Sequence, residues 1–259
     1  MSTQIDDAIC IRQWDWSETS QVVWLFARAM GVVRALAKGS KRPKAAFSGG
    51  IELLSLGEIG VIVRPRSELA LLTRWDLKES FPWLRRSLKA YQAGLYVADL
   101  VAHLVRDHDP HAKLYDASLS CIRSLASPDA TAPAILRLQW AALSETGFAP
   151  ELRANVSTGE VLGPASSYLF SPALGGMLLD EPGGPVGGGG GTESGVWRVR
   201  AGTIELLREI SAENGSPGTV ASDPESVDRA NRLLASYVRH VLGAEPPTMR
   251  AVFGEHLRR

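Results

Sequence analysis

Short apolar or alternating runs, separated by glycine and proline, occupy the first 80 residues of the chain. Such runs are typical of β-strands, and the residues between them are typical of turns. Because no helical periodicity separates the runs, a small closed barrel is favoured over a doubly wound sheet. Five strands are predicted, near residues 8–11, 22–26, 32–36, 59–63 and 69–75.

Apolar residues recur at helical spacing from residue 81 onward, beginning with Leu88, Tyr91 and Leu95. Pro128 and Pro133 are expected to break the chain between helices, and Asp223 to cap the last long helix. Glycine, proline and serine dominate residues 150–195, which end in a glycine tract that is not expected to pack a core. Helices are predicted within the stretch 81–104 and over residues 114–125, 133–143, 196–210 and 224–242.

The composition is that of an ordinary globular protein, with 45% apolar residues, 22% charged residues and a net charge of zero. A zero net charge removes the simplest argument for nucleic-acid binding, so any such binding depends on local clusters of charge. Two cysteines provide no disulfide framework, and the acidic N-terminus lacks an apolar signal segment. The uncharged run 161–179 contains prolines and glycines that argue against a membrane span. We therefore expect a cytoplasmic protein without a membrane anchor.

One cluster of cations stands out between residues 34 and 44, where no acidic residue interrupts it. Glycine and proline inside the cluster indicate a strand that runs into an exposed loop. Cations on such a loop suit contacts with phosphates, and an ordinary solvated loop is the alternative interpretation. The candidate DNA-binding cations are Arg34, Lys38, Lys41, Arg42 and Lys44.

Five of the seven tryptophans lie within the first 83 residues. Trp24 and Trp75 fall inside apolar runs and are expected to pack in the core. Trp14 and Trp16 alternate with polar neighbours, so exposed rings there could stack on the bases of a single strand.

Catalytic motifs have little support in this sequence. Lys38-Gly39-Ser40 has the wrong order for a nucleotide phosphate loop, and no Gly-x-Ser-x-Gly motif occurs. His103 and Asp107 share a helical face, but polar residues are common where a helix ends. We expect no catalytic residues, no metal and no cofactor.

Several segments, in order along nearly the whole chain, resemble the RecO family of bacterial recombination mediators. The more specific matches are Trp16-Ser17-Glu18-Thr19-Ser20, Leu25-Phe26, Gly31-Val32-Val33-Arg34-Ala35-Leu36-Ala37-Lys38-Gly39 and Lys41-Arg42. Weaker matches are Glu79-Ser80-Phe81-Pro82, the segment 133–148, Tyr168-Leu169-Phe170-Ser171-Pro172 with Gly175-Gly176, and the stretch 239–253.

The resemblance implies an α+β chain: an N-terminal five-stranded OB-fold barrel and an α-helical domain with a small inserted zinc-ribbon-like module. The barrel would cover residues 1–80, the helical domain 81–149 and 196–259, and the module with its glycine-rich loop 150–195. Such proteins bind single- and double-stranded DNA, anneal complementary strands and, with RecR, load RecA. They also contact the C-terminal tail of single-stranded DNA-binding protein (SSB), and they hydrolyse no nucleotide.

The sequence departs from the family pattern in the inserted module. Where many relatives carry two Cys-x-x-Cys pairs, this chain has Ala154, Ser157, Leu179 and Pro182. These side chains do not suit zinc, since serine is a poor ligand and the others offer no donor. We therefore predict a zinc-free module, held by the packing of Tyr168, Leu169, Phe170 and Met177.

The resemblance also indicates a site for the acidic tail of SSB. Arg137 is the expected contact, flanked by Leu136, Leu138 and Trp140. A solvated helix charge is an equally weighted interpretation. Two other functions remain open: an adaptor of the same pathway with weak or lost DNA binding, and an OB-type RNA-binding module.

Overall fold

The computed structural model describes residues 2–42, 47, 50–63, 67–179, 195–212 and 223–254. It contains two compact units. The first combines Met1–Ala134 with Pro246–Gly254, and the second contains Ile135–Glu245. These units are not divided at residues 80, 149 and 195, where the sequence predicts the domain boundaries. The predicted domain division stays a prediction.

A closed barrel of five strands forms the start of the first unit, in the order β1-β2-β3-β5-β4. Neighbouring strands are antiparallel, except for a short parallel pairing of β3 with β5. The predicted α+β fold with an N-terminal OB-type barrel followed by helices is therefore confirmed. The strands are β1 (Gln4–Ser17), β2 (Ser20–Ala27), β3 (Gly31–Ala37), β4 (Leu56–Ile62) and β5 (Ala70–Glu79).

Strand β1 is longer than the predicted run because it pairs with β4 along its first half and with β2 along most of its length. A register shift between Cys10 and Arg12 interrupts its pairing with β2. Cys10 pairs with Leu25, and both belong to the barrel core, whereas Arg12 pairs with Trp24 outside it. The bulge therefore turns the second half of β1 so that Arg12 and the residues alternating with it face outward.

The barrel core is filled by alternate residues of every strand, as the alternating pattern predicts. Trp75 is its largest side chain and is 1% exposed. Gly57 lies directly beneath this ring, since a Cβ there would approach it to 2.7 Å. The predicted core position of Trp75 is confirmed.

The rest of the first unit is helical, and its C-terminal segment, Pro246–Gly254, packs against the first long helix. Ser87 caps α1 by accepting a hydrogen bond from the Ala90 amide at 3.3 Å. Tyr96 of α1 meets Phe253 of α6 edge to face, with ring centroids 5.3 Å apart. The elements are a short 3-10 helix (Pro82–Arg85), α1 (Leu88–Leu104), α2 (Ala112–Ser124), α3 (Pro128–Glu145), which continues into the second unit, and α6 (Met249–Phe253).

Pro128 begins α3, but the predicted break at Pro133 is wrong. Pro133 lies near the start of the helix, where it removes a single backbone donor, and the helix continues beyond it. Its fixed φ is compatible with helical backbone.

The second unit contains a three-stranded antiparallel sheet in the order β7-β6-β8, together with two long helices. The start of the helix predicted over 196–210 is wrong, because Trp197 and Val199 alternate with arginines and pair with β6. The elements are β6 (Ser167–Ser171), β7 (Gly176–Leu178), β8 (Trp197–Arg200), α4 (Ala201–Ala212) and α5 (Pro224–Leu242).

Helix α5 begins and ends where the sequence predicts. Asp223 accepts a hydrogen bond from the Ser226 amide at 2.9 Å. Hydrogen bonding by the Ser226 side chain, and then by its amide, lowers the pKa of the Asp223 carboxyl. None of the helices in the described ranges is long and apolar enough to cross a membrane.

Candidate nucleic-acid interface

The outward-facing side of β1, β2 and β3 carries arginine and tryptophan in register. Arg12 of β1 is opposite Trp24 of β2, which is opposite Arg34 of β3. Two residues further towards the β1–β2 turn, Trp14 is opposite Val22. Because side chains alternate along strands, these residues share one surface, which we call the outer face.

Two guanidinium groups contact the indole ring of Trp24. The Cζ atoms of Arg12 and Arg34 lie 4.8 Å and 4.2 Å from the ring centroid. Trp14 adds an edge-to-face contact with Trp24 at a centroid distance of 6.3 Å. Cation–π attraction restricts both guanidinium groups without consuming their hydrogen-bond donors. The outer face therefore presents two guanidinium groups in restricted positions.

The expected burial of Trp24 in the barrel core is wrong. Its neighbours Val23 and Leu25 point into the core, so alternation directs Trp24 outward, where it is half-buried. Arg12 was missed by the sequence reasoning. The alternation of Arg12 with Trp14 and Trp16 was the signal that could have placed it on the same face.

Trp14 and Trp16 are exposed, as predicted, by 44% and 64% of their surface. Large aromatic rings exposed on a soluble protein are uncommon and mark surfaces for interaction. Both lie near the turn that joins β1 to β2. They therefore extend the outer face towards the segment that follows β3.

The segment that follows β3, residues 38–42, is called the cationic loop. Its backbone is fixed to β2, because the Gly39 amide donates to Ser20 Oγ at 3.0 Å. The Ser40 hydroxyl donates to Gln21 Oε1 at 2.9 Å. Gln21 is itself buried and also bonds the Ile51 backbone through its amide nitrogen and oxygen. Buried, satisfied polar groups of this kind rigidify the loop.

The predicted cations differ in their surroundings. Lys38 and Arg42 are exposed and form no ion pair with another described residue. Arg34 and Lys41 are paired with carboxylates that are distant in sequence. Lys44 lies outside the described residues.

Three carboxylates approach basic residues of the outer face and of the cationic loop. Asp107 Oδ2 lies 2.9 Å from Arg34 Nε. Asp15 Oδ1 lies 2.5 Å from Lys41 Nζ. Asp99 Oδ1 lies 3.2 Å from Arg12 Nη2, and this carboxylate also accepts hydrogen bonds from Thr248. No acidic residue interrupts the cation cluster in the sequence, but carboxylates from other parts of the chain neutralise part of its charge.

His103 and Asp107 do not converge on a metal site. His103 Nδ1 lies 2.7 Å from the Asp99 carbonyl oxygen, while Asp107 pairs with Arg34. Within the described ranges, no group of three histidine, cysteine or acidic residues could hold a metal ion.

Arg137, expected to contact a partner, lies half-buried on α3. Leu136, Leu138 and Trp140 beside it are all buried, so they offer little apolar surface to a bound peptide. Partner binding by Arg137 and Trp140 stays a prediction.

The inserted module contains no zinc-like donor set among its described residues. Ala154 and Leu179 occupy two of the positions compared with cysteine, Ser157 is a poor ligand, and Pro182 lies outside the described residues with the glycine tract. The residues do not suit zinc. The side chains predicted to pack here are all buried: Tyr168, Leu169, Phe170 and Met177.

An arginine fixes this module to α4 instead. Arg208 donates from Nε and Nη2 to the Leu152 carbonyl oxygen, at 2.8 Å and 2.6 Å. Its guanidinium also lies over the Tyr168 ring, 5.3 Å from the centroid. The Arg208 side chain therefore links the start of the module to both α4 and β6.

Comparison with known proteins identifies the family. Residues 1–81 match the family model described as Recombination protein O N terminal, and residues 85–250 match Recombination protein O C terminal. This chain belongs to the RecO family. The predicted resemblance is thereby confirmed.

Curated RecO proteins match along most of this chain. The DNA repair protein RecO of Rhodopirellula baltica is 30% identical over 220 residues, which cover 85% of this chain and 79% of the relative. The protein of that name from an Anaeromyxobacter species is 30% identical over 236 residues, covering 91% and 90%. The RecO protein of an Azoarcus species is 28% identical over 247 residues, covering 93% and 91%.

Proposed function

We propose that this chain is a DNA repair and recombination mediator that binds single- and double-stranded DNA and promotes strand annealing. In this role it helps RecR to load RecA onto single strands coated with SSB. Membership of the RecO family supports the pathway, and the named relatives are DNA repair proteins. The outer face and the cationic loop support DNA as the direct ligand.

The observation that carries the proposal is the combination of exposed tryptophans and cations on three adjacent strands. Bases of a single strand stack on Trp14 and Trp16, each contact contributing about 1–3 kcal/mol. Phosphates contact Lys38 and Arg42 of the cationic loop, and the guanidinium groups beside Trp24. Because phosphates carry no base information, this binding is independent of sequence.

Annealing follows from the same charges. Two complementary strands repel each other through their phosphates, and cations that neutralise part of this charge lower the repulsion. The protein acts by binding and not by making or breaking bonds, in the cytoplasm at the nucleoid. RecR and the SSB tail are its protein partners in this proposal.

Charge reversal at the cationic loop tests the proposal. Binding of a fluorescent single-stranded oligonucleotide is measured over a salt series for the wild type and for Lys38→Glu combined with Arg42→Glu. Each phosphate contact contributes about 0.7 to the slope of log K against log salt, so the double variant loses about 1.4. Lys89→Glu combined with Arg153→Glu, at exposed positions of α1 and of the inserted module, reverses the same number of charges and is the matched control.

Unchanged affinity and slope in the double variant would refute the proposed contacts. Parallel measurements with RNA and with RecR separate this function from the RNA-binding and adaptor alternatives. Preference for RNA, or RecR binding without any DNA binding, would favour those alternatives.

A further inference from the structure

The ion pair between Arg34 and Asp107 lies on the proposed DNA-binding surface itself. Both oxygens of Asp107 are close to Arg34 Nε, at 2.9 Å and 3.1 Å. The two side chains are 43% and 39% exposed, so solvent and a DNA phosphate can both reach them. In this arrangement the carboxylate occupies the Nε donor of Arg34, which is one of the donors that a phosphate would use.

Asp107 is held in this position by the backbone of β3. It forms a parallel bridge with Val32, and the His108 amide donates to the Val32 carbonyl at 3.0 Å. The close approach depends on Gly31, which has φ +69° and where a Cβ would lie 2.3 Å from the Asp109 carbonyl oxygen. The carboxylate is therefore presented to Arg34 by a docked loop.

A second pair repeats this arrangement at the cationic loop. Asp15 follows Trp14 on β1, so its side chain lies on the other face of the strand, on the side of its partner Gln21. Its Oδ1 lies 2.5 Å from Lys41 Nζ. The Lys41 amide donates to the Thr19 carbonyl at 3.1 Å, so the loop backbone is fixed independently of the ion pair.

We propose that Asp107 on the outer face and Asp15 at the cationic loop limit DNA affinity by competing with phosphates for Arg34 and Lys41. The proposal rests on the proposed function, since both cations belong to the proposed DNA-binding residues. Exposed ion pairs are weak, so phosphates can displace the carboxylates. After displacement the carboxylates stay nearby and repel the bound strand, which keeps binding reversible, as exchange between strands requires.

Removal of either carboxylate increases affinity because the cation stays in place. Arg34 keeps its contact with the Trp24 ring at 4.2 Å. Lys41 remains on a loop whose backbone is held by β2 and by the β1–β2 turn. A purely structural role for the carboxylates would have the opposite consequence, because their loss would loosen the surface and weaken binding.

The test compares Asp107→Asn, Asp15→Asn and the double variant with the wild type, using a fluorescent single-stranded oligonucleotide over a salt series. Each substitution is expected to tighten binding about three-fold near 0.1 M salt, and the double variant about ten-fold. The salt slope steepens by about 0.7 for each cation released from its carboxylate. Asp107→Glu, which keeps the charge, retains wild-type affinity.

Asp228→Asn is the matched control for net charge. Asp228 forms an exposed pair with Arg232, at 2.8 Å, on α5 of the second unit. It is expected to change affinity by less than a factor of about 1.5, since this pair belongs neither to the outer face nor to the cationic loop.

Equal gains in the control and in the two variants would overturn the inference, as would unchanged or weakened binding by Asp15→Asn and Asp107→Asn. Circular dichroism of each variant confirms that it is folded before binding is compared. If wild type and double variant both fail to bind DNA, the proposed function fails. If wild type binds and the variants behave like it, only the competition by carboxylates is refuted.

Discussion

Arg208 of α4 holds the start of the inserted module through the Leu152 carbonyl oxygen. Substitution by methionine keeps the length of the side chain but removes both donors to the Leu152 carbonyl oxygen. Leu152 is buried, so its carbonyl would lose its partner away from water. This costs about 1–3 kcal/mol, and loss of the cation–π contact with Tyr168 adds about 0.5–1 kcal/mol.

The expected loss in local stability is therefore about 1.5–4 kcal/mol. Hydrogen exchange, followed by mass spectrometry on peptides from residues 151–179, measures it directly. Amides protected by the module are expected to exchange roughly 10- to 700-fold faster in Arg208→Met. Chelators are expected to leave exchange unchanged in the wild type.

Arg232→Met is the matched control, because Arg232 forms an exposed pair with Asp228 one helical turn away. Such pairs contribute about 0.3–0.5 kcal/mol. Equal hydrogen-exchange rates in Arg208→Met and in the wild type would refute the role of the Arg208 hydrogen bonds. Faster exchange after metal chelation would show that a metal holds the module.

Three further outcomes follow from the contacts described above. Gly57→Ala is expected to lower the free energy of unfolding by about 1–3 kcal/mol, since its Cβ would overlap the buried Trp75 ring; urea denaturation measures this. Asp223 has a lowered pKa, so its stabilising contribution is present above the ordinary value of 3.8 and is lost as pH falls through the lower folded-state value. The difference in melting temperature between about pH 5 and about pH 3 is expected to be smaller in Asp223→Ala than in the wild type. Burial raises the pKa of the Cys10 and Cys121 thiols to about 12, so neither is expected to react with a thiol reagent in the native protein at neutral pH.

Each of these outcomes has a control. Gly202→Ala, in α4, meets no atom within 4 Å and is expected to be neutral or stabilising. Wild-type stability that falls no more steeply on acidification than that of Asp223→Ala would contradict the capping contribution. Both thiols are expected to react once the chain is unfolded in urea, and rapid labelling without denaturant would contradict their burial.

The elements that could be predicted from the sequence are those specified by local pattern. Alternation and turn residues located the five barrel strands, and helical periodicity with a capping aspartate located α5. The short strand β8 was missed because four residues carry too little periodicity to distinguish a strand from the start of a helix. Its identity depends on pairing with β6, which is set by the tertiary structure.

The candidate site likewise combines residues that the local pattern predicts with residues whose position depends on the tertiary structure. The exposure of Trp14 follows from alternation along one strand, whereas Trp16 lies at a second register shift of β1, between Asp15 and Ser17. The outward position of Trp24 and the inclusion of Arg12 depend on the register between strands and on a bulge in β1. The neutralising carboxylates come from residues far along the chain, so an acid-free stretch of sequence could not reveal them.

Photo-crosslinking of the wild-type protein to a single-stranded oligonucleotide, followed by mass spectrometry of the attached peptides, locates the DNA-binding surface. Crosslinks are expected on peptides that contain Trp14 and Trp16 and on peptides from residues 34–42. Crosslinks confined to the second unit, with the outer face of β1–β3 unlabelled, would contradict the proposed DNA-binding surface.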